Sequence, residues 1–275
     1  MSADPQQQVE IVRVRTGTRT RDRDRAATEE PLEIRIHDRP FAVIMRTPGA
    51  DRELAAGFLL AERVLRSTDD LGTIAHCTDR DAAGTPAENI VNVTLANGSG
   101  ESLEQAMADR RQVTTNSSCG LCGRRTIESL ASDVSPIGAS WTVSAATVAA
   151  MPAQLRARQV VFDDTGGLHA AGLFARDGTL VDSAEDVGRH NAVDKIVGRM
   201  LMREALPLSD SILCVSGRTS FEIVQKAVFA GIPVVAAVSA PSTLAISLAE
   251  TLGVTLIGFV RGDGFNIYAH PERIV

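Results

Sequence analysis

Aromatic side chains are scarce in this chain: they make up 4% of 275 residues, with a single Trp and a single Tyr. Stacking platforms for single-stranded nucleic acid need exposed aromatics, and few are available. The same scarcity makes the core aliphatic, built from Ala, Val, Leu and Ile. Positive charge is also in short supply. The net charge is −6 and the pI about 5.4. Such a chain is a poor general binder of phosphate backbones or anionic membranes, although a local basic patch can still hold one small anion. Long apolar runs are missing too. The longest candidate, 227–240, is broken by Gly231 and Pro233, short of the roughly 18–20 apolar residues a membrane span needs. The N-terminus is polar and then arginine-rich, without the apolar stretch of a signal peptide. These absences predict a cytoplasmic protein with neither a nucleic-acid nor a membrane partner.

Common catalytic signatures are absent as well. The chain has no G-x-x-x-x-G-K-[ST], no G-x-G-x-x-G, no H-E-x-x-H and no G-x-S-x-G. ATP hydrolysis, hydride transfer and zinc proteolysis therefore lack their usual marks. Cysteine is limited to Cys77, Cys119, Cys122 and Cys214, too few for a disulfide scaffold in a reducing compartment.

What is present is ordinary globular chain, 44% hydrophobic and 23% charged, enough for one large domain or one plus a small appendage. Val9 to Val12 reads as a short strand, and Thr16 to Glu30 as a loop or mobile arm. Leu32 to Ile36 and Phe41 to Met45 read as a hairpin turning at His37-Asp-Arg-Pro40. Leu54, Ala55, Phe58 and Leu59 follow helical spacing. Strands are expected near 72–76 and 89–95, and a helix over 147–158. The second half is more regular. Strands near 170–174 and 179–184 precede a helix over 189–206. Apolar strands at 212–215, 233–238 and 255–260 then alternate with helices at 220–230 and 242–252. That order implies right-handed crossovers and parallel strands covered on both faces.

Three sets of residues carry chemistry. Cys119-Gly-Leu-Cys122 lies in a polar, glycine-rich loop just ahead of Arg124 and Arg125. Cations or a helix start beside a thiol favour the thiolate, the nucleophilic form. A structural zinc site, a thioredoxin-like redox pair and a surface cysteine that carries sulfur remain open. Zinc normally needs four ligands, no second Cys pair exists, and Cys77 and Cys214 read as core residues. The sulfur carrier fits the loop best.

The second set is 186–195, where Asp186, Arg189, His190, Asn191 and Lys195 crowd the start of the long helix. Helix starts bind anions. If the helix begins only at Arg189, these side chains cannot all meet at one point. The third set follows the strands: Ser216-Gly-Arg-Thr-Ser220, Ser239-Ala-Pro-Ser242 and Phe259-Val-Arg-Gly-Asp-Gly264. Ligands of open parallel sheets bind beyond the carboxyl ends of the strands. Small residues, hydroxyls and two arginines there suit an anionic, nucleotide-bearing ligand.

Taken in order, the motifs resemble the FdhD family of formate dehydrogenase accessory sulfurtransferases. They are Thr47-Pro-Gly with Glu53-Leu-Ala-Ala-Gly-Phe-Leu59, Ser117-Ser-Cys-Gly-Leu-Cys-Gly123, Asp186-Val-Gly-Arg-His-Asn-Ala-Val-Asp-Lys195, Ser216-Gly-Arg-Thr-Ser220, Pro233 to Ser242, and Gly258-Phe-Val-Arg261 with Phe265-Asn-Ile-Tyr268. The resemblance spans about 30–270. It implies an α/β fold: a cytidine deaminase-like three-layer domain with a mainly parallel or mixed sheet, plus a small N-terminal α+β subdomain. The division would be a flexible Arg-rich extension at 1–30, the subdomain at 31–110, the Cys loop and linker at 111–145 and the main domain at 146–275.

The resemblance also implies a sulfurtransferase, a persulfide carrier rather than a hydrolase or dehydrogenase. Sulfur would come from a cysteine desulfurase onto Cys119 and pass to the molybdenum or tungsten of bis-molybdopterin guanine dinucleotide before insertion into formate dehydrogenase. Cys122 would be an alternate carrier or a resolving thiol. A homodimer is implied, with no permanent metal. Phe259, Val260, Arg261, Gly262, Asp263 and Gly264 match a family cofactor-binding stretch, joined by Arg189, His190, Asn191, Lys195, Ser216, Arg218 and Ser239. The competing reading is a nucleotide- or cofactor-binding module whose Cys pair holds zinc or acts as a redox switch. A deaminase lacks its zinc signature here.

Overall fold

The computed structural model describes residues 4–77, 87–96 and 134–275. Alternation along the strands sets the layers. In β9 (Ser211–Val215), Leu213 and Val215 join one apolar cluster while Ile212 and Cys214 join another. The same split separates Val235 and Ala237 from Val234 and Ala236 in β10 (Val234–Ala237). With a side-chain period of two, both sheet faces must then be covered. Helix α2 (Ala145–Arg156) covers one face with Val148, Met151 and Leu155. Helices α4 (Arg189–Met202), α5 (Phe221–Ala230) and α6 (Thr243–Leu252) cover the other.

The sheet has six strands in the order β12-β11-β10-β9-β7-β8. Strands β9, β10 and β11 (Thr255–Arg261) are parallel. Flanking them, β12 (Gly264–Ala269), β7 (His169–Ala175) and β8 (Leu180–Asp186) run antiparallel to their neighbours. The result is a mixed α/β sheet in a three-layer stack. Helix α4 stops at Met202 rather than Leu206. Glu204 takes a positive φ of 58°, and Leu206 precedes Pro207, a position that disfavours helical backbone.

A second sheet, in the order β4-β3-β6-β5, comprises β3 (Glu30–Ile36), β4 (Arg39–Arg46), β5 (Leu71–His76) and β6 (Ile90–Leu95). His37 and Asp38, at φ 49° and 63°, make the two-residue turn that β3 and β4 need. Leu32, Ile34, Ile36, Val91 and Val93 face α1 (Asp51–Ala61), which packs in turn on α4, so one apolar cluster runs through both regions. Gly57 and Gly198 permit that crossing: an added Cβ would lie 2.0 Å from Asp194 O and 1.9 Å from Glu53 O, respectively.

The strand expected at Val9 to Val12 forms as part of a longer one, but Thr16 to Glu30 departs from the sequence reading. Strands β1 (Gln6–Arg15) and β2 (Thr18–Ala27) form an antiparallel ribbon turning at Thr16-Gly17 where a loop or arm is expected. A short helix α3 (Val160–Thr165) receives its base: Arg25 Nη1 and Gln6 Nε2 reach Asp164 Oδ2 at 2.6 and 2.9 Å. Among the described residues, no helix is long and apolar enough to cross a membrane.

Candidate functional site at the carboxyl edge of the sheet

Strand direction gathers the candidate residues. The carboxyl ends of β9, β10 and β11 lie on one edge. Being antiparallel, β7 brings its first residue, His169, to that edge, and β8 returns Asp186 to it, paired with His169. Helices α4, α5 and α6 all start there, so their unpaired N–H groups add positive potential.

The candidates divide into a buried knot and an open rim. Asp186 is fully buried. Its Oδ1 accepts from Gly188 N and Asn191 Nδ2, each at 2.8 Å. Its Oδ2 accepts from Thr47 N at 3.2 Å and lies 2.7 Å from Lys195 Nζ. Lys195 also donates to Thr47 O at 2.9 Å and Glu185 O at 3.2 Å, so its three N–H groups are all engaged. Asn191 donates to Met45 O as well. These contacts fasten the 45–47 segment to the start of α4. Asn191 and Lys195 therefore position the edge from beneath it. A second buried cation, Arg46, grips Asp51 through two bonds of 2.9 Å and reaches Asn89 at 2.7 Å, closing the same junction.

The rim is cationic and partly unsatisfied. His169, Arg189, His190 and the exposed Arg218 stand close enough to influence one another. Burial holds His169 below the ordinary histidine value of 6.5, and the charges of Arg189, His190 and Arg218 lower it further. Gly217 lets the ring approach: a Cβ there would lie 3.2 Å from His169 Nδ1. His190 Nε2 lies 2.8 Å from Glu222 Oε2 and 3.0 Å from Ser220 Oγ. Burial raises the Glu222 carboxyl, but the His190 hydrogen bond and the charges of His190, Lys226 and Arg189 outweigh it, leaving it below the ordinary value. Below the rim, Lys226 clasps Asp194 at 2.7 and 2.8 Å, and burial pushes that carboxyl up against the pull of Lys226.

Three buried polar atoms here, Arg189 Nε, Thr219 Oγ1 and Glu222 Oε1, have no hydrogen-bond partner among the described residues. Unpaired buried polar atoms are uncommon in native folds. Three at one edge fit a site that a polar ligand completes.

The far end of the edge is the β11–β12 hairpin. Phe259, Arg261, Gly262, Asp263 and Gly264 are exposed, whereas Val260 is buried in the α2-side core and supports the hairpin from within. Arg261 Nε donates to Val238 O at 3.0 Å, and its guanidinium lies 5.6 Å from the Phe259 ring centroid. The terminal nitrogens of its fork have no partner among the described residues, a geometry suited to bidentate oxyanion binding. Gly258 lets Pro241 and Ser239 close in, with a Cβ only 2.9 Å from Pro241 Cδ. Ser239 O accepts from Phe259 N at 3.2 Å. Ser216 Oγ accepts from Ala170 N at 2.9 Å, tying β9 to β7.

Sequence reasoning missed His169, Thr219 and Glu222 as members of this edge. Thr219 lies inside the Ser216-Gly-Arg-Thr-Ser220 motif. His169 had no local signal, because only the antiparallel pairing of β7 brings it here. Cys119 and Cys122 lie outside the described residues. Cys214 is buried, its thiol pushed up to about 12 by burial, which makes it inert. Cys77 is half-buried rather than a core residue.

Residues 27–275 match the model of the FdhD/NarQ family. The chain belongs to that family. Among its relatives, a sulfur carrier protein FdhD of Mycolicibacterium paratuberculosis is 52% identical over 248 residues, covering 90% of each chain. One from Streptomyces avermitilis is 50% identical over 254 residues, 90% of this chain and 87% of the relative. A crystal structure from Desulfotalea psychrophila, described as a candidate formate dehydrogenase accessory protein, superposes with a TM-score of 0.76 at 25% identity. It covers 99% of this chain and 100% of its own.

Proposed function

We propose that this FdhD/NarQ family member is a sulfur carrier serving a formate dehydrogenase. In this reading a cysteine desulfurase presents a persulfide and the Cys119 thiolate attacks its outer sulfur. The donor's S–S bond breaks, the donor leaves as a thiolate, and a persulfide forms on Cys119 without net oxidation. The Cys119 S–S bond then breaks: the outer sulfur passes to the molybdenum or tungsten of bis-molybdopterin guanine dinucleotide, which is substrate and cargo and, in its reduced state, supplies the electron pair, and Cys119 is left as a thiolate. Cys122 is the second thiol of the loop. The carrier acts in the cytoplasm as a homodimer and is a sulfurtransferase in that sense.

The single observation that carries the cargo half of this reading is the carboxyl edge itself. Exposed Arg218 and Arg261, three helix starts and unpaired buried atoms on Arg189, Thr219 and Glu222 converge on one side of the sheet. A ligand with several phosphates and two guanine rings supplies acceptors for the arginines and both donors and acceptors for Thr219 and Glu222. His169, held neutral, can accept or donate at a ring edge. That its relatives are named sulfur carrier proteins supports the sulfur half.

Complementation tests the whole. A strain lacking its own FdhD-type protein should regain formate dehydrogenase activity with the wild-type chain and fail with Cys119→Ala. Restoration by that variant would contradict the proposal. One equivalent of zinc, lost in both Cys119→Ser and Cys122→Ser, would favour the binding-module reading instead.

A further inference from the structure

The β1–β2 ribbon lies ahead of the family match, which starts at residue 27, and the proposed sulfur chemistry does not use it. Its two faces differ in charge. Directly opposed residues of an antiparallel pair share a face. One face carries Val9, Ile11, Arg13 and Arg15 opposite Asp24, Asp22, Thr20 and Thr18. Arg13 there contacts Asp22 at 2.7 Å and Asp24 at 3.8 Å. Two arginines against two aspartates leave that face neutral.

The other face carries Gln8, Glu10, Val12 and Val14 opposite Arg25, Arg23, Arg21 and Arg19. Arg25 is committed to Asp164. Arg19, Arg21 and Arg23 have no carboxylate partner among the described residues, and Val12 and Val14 are 60% and 59% exposed. The face is thus a strip of three guanidiniums beside bare valines, with Glu10, opposite Arg23, as its one carboxylate. Its position does not serve the fold. Thr18 to Arg25 are exposed throughout, and only the base of the ribbon meets α3. A two-stranded ribbon without cover is marginally stable in water.

Charge is partitioned between ribbon and body. Residues 6–27 hold six arginines against three acids, a net +3, so the rest of a chain of net −6 carries −9. We propose that the Val12/Val14/Arg19/Arg21/Arg23 face of the ribbon docks on the acidic body of a second copy of this chain. Each copy lends its ribbon to the other in a closed two-fold dimer. Within one copy the strip projects away from the body it could neutralise; between copies, strip and body meet. The inference rests on the paired state proposed above and gives it an interface, but it is independent of Cys119.

Sedimentation equilibrium of the full chain tests this. The wild type should dimerise, and more weakly as salt rises, because surface charges are screened. The triple variant Arg19→Glu/Arg21→Glu/Arg23→Glu should dimerise about two orders of magnitude more weakly. Arg15→Glu, on the neutral face, should behave as wild type. A photo-crosslinker at Val12 should link to residues outside 6–27 of another copy. A wild type that stays monomeric would overturn the proposal. So would a dimer unmoved by the triple reversal, or crosslinks confined to ribbon on ribbon. Capture of anionic vesicles or RNA by a monomeric chain would overturn it too, giving the strip to those partners. Sulfur loading of the triple variant separates the two claims: loss of the dimer with loading intact leaves the carrier reading standing, and lost loading in an intact dimer does the reverse.

Discussion

Lys195 and Arg218 carry the same charge and both stand out as ligand candidates in the sequence, yet the fold puts them in opposite settings. Lys195 is buried with all three donors engaged, whereas Arg218 is exposed on the rim. Removing one partner of a buried ion pair leaves the other charge uncompensated. Lys195→Met should therefore cost about 3–5 kcal/mol of stability, read as a lower urea midpoint. Arg218→Ala should leave that midpoint unchanged, and Arg218→Ala and Arg261→Ala should each weaken guanine nucleotide binding by about 10- to 150-fold, as expected for a charge-assisted hydrogen bond of ~1.5–3 kcal/mol. Calorimetric titration with a guanine nucleotide checks this. The sequence shows which side chains can bind an anion. It does not show which of them have already spent their donors on Thr47 O and Glu185 O.

At the scale of elements, periodicity made most of the architecture legible. The alternating apolar strands and the stripe of Val193, Ile196, Val197 and Leu201 in α4 were readable because burial on one or two faces imposes that spacing. Strand β2 was not, because its alternation is of Arg with Asp and Thr rather than of apolar with polar, and ladder pairing rather than burial holds it. His169 was hidden for a related reason: a strand's direction is set by its partners, not its own residues. The α1–α4 crossing gives the sharpest element-level test. Gly57→Ala or Gly198→Ala would drive a methyl into the facing helix backbone, which cannot yield as a flexible side chain can. Each should lower stability by at least ~1–3 kcal/mol, with the chain failing to fold as the extreme outcome. Neutral substitutions there would contradict the close crossing.

For the whole molecule, the two sheets and the helices between them share one apolar cluster, and the Asp186 knot clamps the N-terminal sheet to the site. Opening the edge therefore means disturbing the core. Acid should do so. His169 sits below its ordinary value, so between the two values the unfolded chain binds the extra proton and stability falls as pH drops. Glu222, also lowered, adds a loss in the same direction once pH falls through the ordinary glutamate range. Urea midpoints should decline as pH falls through and below the ordinary histidine value of 6.5, and His169→Asn should flatten that decline.

The most direct test of the carrier role is intact mass. The chain is incubated with a cysteine desulfurase and cysteine, without reductant. Wild type should gain sulfane sulfur that a thiol reductant removes, and Cys119→Ala should gain none. Equal loading of wild type and Cys119→Ala would contradict the account.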